Sequence, residues 1–374
     1  MRRVLTSPRR NWQQIVADQG LTFYLTDDRP YWDESAYYEF SAAQIDHIEA
    51  ATEELEGMCR AAVEAVIAND WWFKFQIQPA FVPWIKASWE RRERSIYGRF
   101  DFWCDGNEIK LLEFNADTPT GLIEAAVAQW FWVKDKFGDD GDQFNSLHER
   151  LIAAWAELKR ETGPFLHVAG IDDGDEDFMT ANYLRDTAQQ AGFETSYLPV
   201  ERIAWQPASR RFVDNRERSI DLIFKLYPWE WLTREEFGPY LAGAPTRWIE
   251  PPWKMILSNK ALLVVLWDLF PDHPLLLRAA LQPWHDSYVK KPILAREGAN
   301  VSIVEDGQTR ASSGGLYPGP FVFQDLKTLP NFDGNFPVIG SWLIDEKPAG
   351  MGIREDSQFI TSNKSRFVPH RLVP

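Results

Sequence analysis

The stretch YGRFDFWCDGNEIKLLEFNADTPTG, Tyr97 to Gly121, decides how this chain is to be read. Arg99-Phe-Asp-Phe-Trp103 alternates, Asp105-Gly106 is a favoured tight turn, and Ile109 to Asn115 resumes extended structure. Together they predict a β-hairpin. With a side-chain period of two, Arg99 and Asp101 share one face of the first strand, and Glu113 and Asn115 share one face of the second. If the register brings those faces together, two carboxylates and a carboxamide converge beside an arginine. Hard oxygen donors of this kind suit Mg²⁺, which keeps positions for water and substrate phosphate. The same spacing also describes the charged, solvated face of a surface hairpin. Spacing alone leaves both readings open.

Before the hairpin the chain reads as largely helical. Ser41-Ala-Ala-Gln44 has the form of a capping box and precedes apolar or small residues at Ile45, Ile48, Ala51, Leu55, Met58 and Ala62. That predicts a helix running to about Asn69, and Trp84 to Arg94 predicts a second. Beyond the hairpin, Gly121 to Phe137 reads as a helix turning Ile123, Val127, Trp130 and Phe131 to a core. Leu147 to Arg160 reads as another.

From Phe165 the pattern becomes strand, helix, strand. Phe165 to Ile171 is followed by a helix from Asp177 to Gln190, closed by Gly192, and by Phe193 to Val200. Phe178, Ala181, Leu184 and Ala188 keep helical spacing along that helix. This is a βαβ unit, and Ser219 to Tyr227 predicts a further strand of its sheet. The acidic run Asp172 to Asp177 then lies at the carboxyl end of a strand, where ligands gather in such sheets. It could receive an amine or simply favour a helix N-terminus through the dipole.

After residue 250 the pattern is mixed: a short apolar helix over Lys260 to Phe270, then strands at Tyr288 to Pro292, Val301 to Val304, Phe321 to Gln324 and Pro337 to Ile344. The polar tail from Ser362 is expected to be peripheral. No internal repeat is present. The division expected is a helical region over 1–95, the hairpin with a βαβ substrate-side lobe over 96–250, and a nucleotide lobe over 251–374.

A chain of 374 residues can bury a large core, and 18 tryptophans exclude a disordered composition. The net charge of −15 argues against general nucleic-acid binding, which calls for a basic surface. It would attract a cationic substrate such as a polyamine, but charge alone is better explained by the acidity common among soluble proteins. Cys59 and Cys104 allow at most one disulfide and no zinc cluster. Arginines near the N-terminus are not followed by an apolar segment, so no secretory signal is read, and no run is long enough to cross a bilayer. A cytoplasmic protein is expected. No G-x-x-x-x-G-K-[ST] or G-x-G-x-x-G is present, so a nucleotide site must be built without those cradles.

The hairpin segment resembles the metal-binding region of the glutathionylspermidine synthase family. The likeness continues through Ile249-Glu-Pro-Pro-Trp253, Asn259-Lys-Ala261 with Val264 to Pro271, Val289-Lys-Lys-Pro292, Arg296-Glu-Gly-Ala-Asn300 and Gly352-Ile-Arg-Glu-Asp356. The resemblance implies a mixed α/β (α+β) chain with an ATP-grasp fold, which joins a carboxylate to an amine at the expense of ATP. It implies Mg²⁺ on Asp101, Glu113 and Asn115, and ATP held by Lys260 and Lys291. Glu297 and Gly298 belong to the implied covering loop, with Gln324 at the hinge near the adenine. Arg99 and Arg354 would neutralise an acyl phosphate, Thr118 and Thr120 would lie near the acid, and Glu176 and Asp177 near the amine. Of Lys290 and Lys291, only the lysine directly before proline should enter the site.

Threonines stand where the family usually has serines, which leaves the acid open between glutathione and another carboxylate; a polyamine is the implied amine. The chain is too short for the amidase domain of bifunctional members. A nucleotide- or polyamine-binding protein that keeps the fold without catalysis is the alternative. A glycoside hydrolase with paired carboxylates is a further one.

Overall fold

The computed structural model describes residues 1–172 and 176–373. The Tyr97–Cys104 and Ile109–Asn115 strands pair antiparallel, as their alternation predicts. Asp105 Oδ1 accepts from the N–H groups of Asn107 and Glu108, both at 2.8 Å, and Gly106 supplies the positive φ of 100° that the turn requires. The hairpin is not a free-standing ribbon. It forms one edge of a five-stranded antiparallel sheet in the order Arg366–Val368, Lys347–Asp356, Phe336–Ile344, Tyr97–Cys104, Ile109–Asn115.

One face of this hairpin sheet packs Phe100, Phe102, Ile339, Met351 and Ile353 into a core with Ile48, Ala51, Leu55, Met58 and Ala62 of the Ala42–Ala68 helix. That helix begins with the expected capping box between Ser41 and Gln44. Arg99 and Asp101 alternate with Phe100 and Phe102 and so turn to the opposite face.

The βαβ reading holds. Arg247–Ile249, Leu222–Leu226, Phe165–Gly170 and Glu194–Pro199 form a parallel sheet in that order, and the Glu176–Gln190 helix joins the last two. Gly192 closes the helix with φ 90°. Of the acidic run, residues 173–175 lie outside the described residues. A third sheet, all antiparallel, orders Ala279–Ala280, Phe321–Asp325, Tyr288–Pro292, Ser302–Glu305 and Gln308–Ser312.

Other expectations need correction. Between Gly121 and Phe137 the helix opens with a π-turn over Glu124–Ala128. The wider turn shifts the phase of the buried stripe. Ile123 is buried as predicted, but Phe131 is 47% exposed, Val127 and Trp130 are only partly buried, and Trp132 and Val133 take the core positions.

The tail is not peripheral. Arg366–Val368 extends the hairpin sheet, and His370–Val373 pairs parallel with Ala36–Ser41, which also pairs with Arg2–Leu5. Phe367, Val368 and His370 are buried, and the polar neighbours are bonded inward: Arg366 to Glu355 and Asp33, and Ser365 to Asp356. The N-terminal region accordingly mixes strands with its helices. Cys59 and Cys104 are both free and buried. Among the described residues no helix is long and apolar enough to cross a membrane.

Candidate active site

Register places Asp101 directly opposite Glu113 and Arg99 directly opposite Asn115. Arg99 is 5% and Asp101 3% exposed, which removes the solvated-hairpin reading. Arg99 grips Asp101 through both carboxylate oxygens, Nε to Oδ1 at 2.7 Å and Nη2 to Oδ2 at 3.2 Å, and its Nη1 donates to the Thr120 carbonyl at 2.5 Å. Arg354, from the Lys347–Asp356 strand, donates from Nη2 to Asp101 Oδ2 at 2.6 Å. The Arg99 stem crosses Gly340 on the neighbouring strand, where a Cβ would come within 2.7 Å of Arg99 Cδ. Glycine there makes the room.

The two lysines approach from the other side. Lys260 Nζ lies 3.2 Å from Glu113 Oε2 and donates to the Ala295 carbonyl at 2.7 Å. Lys291 Nζ donates to Gln324 Oε1 at 2.8 Å and to the Leu112 carbonyl at 2.9 Å, and Gln324 Nε2 donates to the Leu111 carbonyl at 3.0 Å. These bonds tie the lysine-bearing sheet to the hairpin. Lys290 instead sits over the Phe321 ring, and only Lys291 faces the cleft.

Burial acts to raise the Glu113 carboxyl, but Lys260, Lys291 and Arg354 hold it down at about 2. Burial, aided by Lys260 and opposed by Glu113, lowers Lys291 to about 8.

A cleft of about 230 Å³ opens between these elements. Arg99, Asp101, Glu113, Asn115, Thr118, Thr120, Asp177, Lys291, Glu297, Gly298, Gln324 and Arg354 all line it. Lys260 touches it through Glu113, and Glu176 through a side-chain hydrogen bond to Thr120. Burial raises the Glu176 carboxyl, against the pull of Thr120, Arg354 and Arg99. Gly298, at φ 69°, passes so close to the Thr361 carbonyl that a Cβ would stand 2.4 Å from it.

Several side-chain contacts escaped the sequence reading. Arg296 donates to Thr118 Oγ1 and, at 3.2 Å, to Glu230 Oε1. Tyr31 donates to the buried Glu124 at 2.7 Å, and burial together with Glu176 raises that carboxyl to about 7. Asp117, inside the quoted stretch, pairs with Lys225 at 2.6 Å with both side chains buried. Charged residues far apart in sequence carry no periodic signal that they will meet.

The donor set fits Mg²⁺. Asp101, Glu113 and Asn115 offer hard oxygens only, and among the described residues no group of three His, Cys, Asp or Glu could hold a metal unaided. A partial oxygen set completed by phosphate and water is the usual arrangement for that ion. Four cations, Arg99, Arg354, Lys260 and Lys291, stand around it and match a polyphosphate.

Fold and site together define a ligase of the ATP-grasp type. The chain belongs to the glutathionylspermidine synthase family: the model described as glutathionylspermidine synthase preATP-grasp matches residues 3–373. A Haemophilus influenzae protein provisionally named an acid–amine ligase is 41% identical, with all of both chains covered. Trypanothione synthetase of Crithidia fasciculata is 30% identical over 80% of this chain and 50% of its own length. The bifunctional glutathionylspermidine synthetase/amidase of Escherichia coli K12 is 28% identical over 89% of this chain and 58% of its own length. The chain thus spans only about half the length of these two longer relatives. The structure of a glutathione synthetase-like effector from Globodera pallida superposes with a TM-score of 0.53, covering 96% of this chain and 98% of that one at 13% identity, a likeness of fold.

Proposed function

We propose that this protein is an ATP-dependent acid–amine ligase of the glutathionylspermidine synthase type, working through an acyl phosphate. A substrate carboxylate oxygen attacks the γ-phosphorus of ATP, the bond to the β-phosphate oxygen breaks, and ADP leaves. A neutral amine then attacks the acyl carbon, the C–N bond forms, phosphate departs, and the nitrogen loses a proton. Negative charge accumulates on the transferring phosphoryl group and then on the tetrahedral centre, so fixed cations lower the barrier.

The carrying observation is the opposition of Asp101 to Glu113 beneath Arg99, Arg354, Lys260 and Lys291. In this reading Asp101, Glu113 and Asn115 would hold Mg²⁺, which would supply positive charge to neutralise the ATP phosphates. Lys260 and Lys291 bind those phosphates, Gln324 lies near the base, and Glu297 and Gly298 cover the nucleotide. Arg99 and Arg354 stabilise the acyl phosphate, the planar guanidinium suiting its oxygens. Thr118 and Thr120 bind the acid, and Glu176 and Asp177 the amine. The names of the relatives favour glutathione or a similar peptide as acid and a polyamine as amine, and the net charge of −15 is suited to a cationic substrate.

The test is to incubate purified protein with ATP, Mg²⁺ and pooled acids and amines, following ADP and new masses together. ADP and an amide mass that appear only with both partners present support the reading and name the substrates. Nucleotide or polyamine binding with no ADP from any pair replaces it with the non-catalytic binding protein.

A further inference from the structure

The block Ile249-Glu-Pro-Pro-Trp253 and the lysine after it do not line the cleft. The side chains of Glu250 and Lys254 go to the open end of the hairpin. Glu250, fully buried, accepts through Oε1 from the backbone N–H of Ile96 at 3.0 Å and of Tyr97 at 3.1 Å. Lys254, 4% exposed, donates from Nζ to the carbonyls of Tyr97 and Ala116, each at 2.9 Å. Glu250 Oε2 and Lys254 Nζ lie 3.3 Å apart, an ionic contact between residues four apart in the chain. One acid therefore holds the entry to the first strand, and one ammonium joins that strand to the exit of the second. Space for this is left by Gly98, where a Cβ would lie 2.9 Å from the Phe114 ring and 3.5 Å from Lys254 Nζ.

A second buried pair continues the grip one residue on. Lys225, from the parallel sheet, donates to Asp117 Oδ1 at 2.6 Å and to the Tyr227 carbonyl at 2.9 Å, with its ammonium 4.2 Å from the Trp229 ring. Asp117 Oδ2 accepts from the Trp229 N–H at 2.9 Å.

We propose that Glu250 and Lys254, with Asp117 and Lys225 behind them, are positioning residues that fix the hairpin's two strands in the register on which its metal-binding face depends. This deepens the ligase reading and rests on it for the role of that face. A one-residue slip would turn Glu113 and Asn115 away from Asp101. The hairpin's turn end has its own Asx bonds, and these buried charges bond the backbone at its open end. Outer partners of metal-binding side chains commonly carry 10-fold to 100-fold of metal affinity. A buried acid and ammonium chosen only for stability would be an inefficient solution, because an apolar pair of similar volume does as well or better.

The experiment compares wild type with the double variant Glu250→Gln/Lys254→Met, which leaves no lone buried charge, and with Lys254→Gln in parallel in case the double variant is insoluble. Mn²⁺ binding is followed by EPR in the presence of a non-hydrolysable ATP analogue. Analogue binding without metal, kcat and thermal melting are measured alongside. The proposal expects Mn²⁺ affinity and kcat each to fall about tenfold or more in the variants. Metal-free analogue affinity should stay within twofold, because Lys260 and Lys291 are untouched. Parental Mn²⁺ affinity in a folded variant, whatever its melting temperature, overturns it. If wild type turns over no acid–amine pair yet the variants lose Mn²⁺ affinity, the positioning role stands and the ligase reading falls.

Discussion

Asp101 and Arg354 are 253 positions apart in the chain and meet at 2.6 Å, Nη2 to Oδ2. The contact spans the Phe336–Ile344 strand, which lies between their own strands in the sheet. It joins the hairpin and the C-terminal strands in one surface of the cleft. Asp101 carries two guanidinium groups there, so its charge is already balanced by the cations assigned to the phosphoryl group.

Turnover is therefore expected to depend on Asp101 and Glu113 as one unit. Asp101→Asn or Glu113→Gln should lower kcat on the order of 100-fold or more, the scale of losing one preorganised electrostatic group. The Mg²⁺ dependence should move to higher concentration in both variants. Circular dichroism and melting curves should remain near parental, since each change keeps the side-chain volume. Two variants with parental kcat and unaltered Mg²⁺ titrations would remove the metal role from this face.

ATP affinity should fall in Lys260→Met and in Lys291→Met by roughly 10-fold to 100-fold, the value of a charge-assisted hydrogen bond. Lys291 adds a pH signature. Its folded value is lowered to about 8, so the free protein holds it charged below that pH and neutral above. ATP favours the charged form. The ATP dissociation constant should accordingly be flat below pH 7 and rise above pH 8 by up to about tenfold per unit. Isothermal titration across pH 6.5–9.5 checks this, and the Lys291→Met variant should lose the rising limb. A wild-type profile flat to pH 9.5 would count against the assignment.

Much of this surface was legible in the sequence, for identifiable reasons. Alternation and the Asp105-Gly106 turn predict the hairpin and which residues share a face of each strand without any long-range information, but not the register that brings the two faces together. Arg354 was different, because nothing in its spacing reveals that the Phe336–Ile344 strand will bring it beside Asp101; only likeness to a family placed it. Lys225, Glu250 and Lys254 were missed because a buried lysine or glutamate is written in the same letters as a solvated one. The phase error at Phe131 came from a π-turn that no 3.6-residue template contains, and the tail was misjudged because its polar side chains are bonded inward.

Gly340→Ala should lower turnover without touching any reacting group. The glycine has no positive φ to protect, so alanine is acceptable to the backbone, but its Cβ would stand 2.7 Å from Arg99 Cδ and 3.2 Å from Nε. Arg99 is held at its far end by Asp101 and the Thr120 carbonyl and must be displaced. Overpacking of this kind costs about 1–3 kcal/mol. A roughly tenfold fall in kcat with little change in ATP affinity is expected from steady-state kinetics and titration. Parental kcat would mean that the stem of Arg99 does not need this path.

Removing charge at Glu176 and Asp177 should act on the amine alone. Asp177 lines the cleft, and Glu176 is hydrogen-bonded to the Thr120 side chain and feels the charges of Arg354 and Arg99, whereas Lys260 and Lys291 act on Glu113. In Glu176→Gln/Asp177→Asn the KM for a polycationic amine should rise several-fold, while the KM for ATP stays within twofold. Attraction between a polycation and partly exposed carboxylates is screened over about 8 Å at physiological ionic strength. The gap between wild type and variant should therefore narrow as salt is raised from 0.05 to about 0.5 M, where the screening length falls further. Steady-state kinetics at both salt concentrations decide it. An unchanged amine KM in the double variant would reduce these acids to the first turn of the Glu176–Gln190 helix, stabilising its N-terminus through the dipole, and would place the amine elsewhere in the cleft.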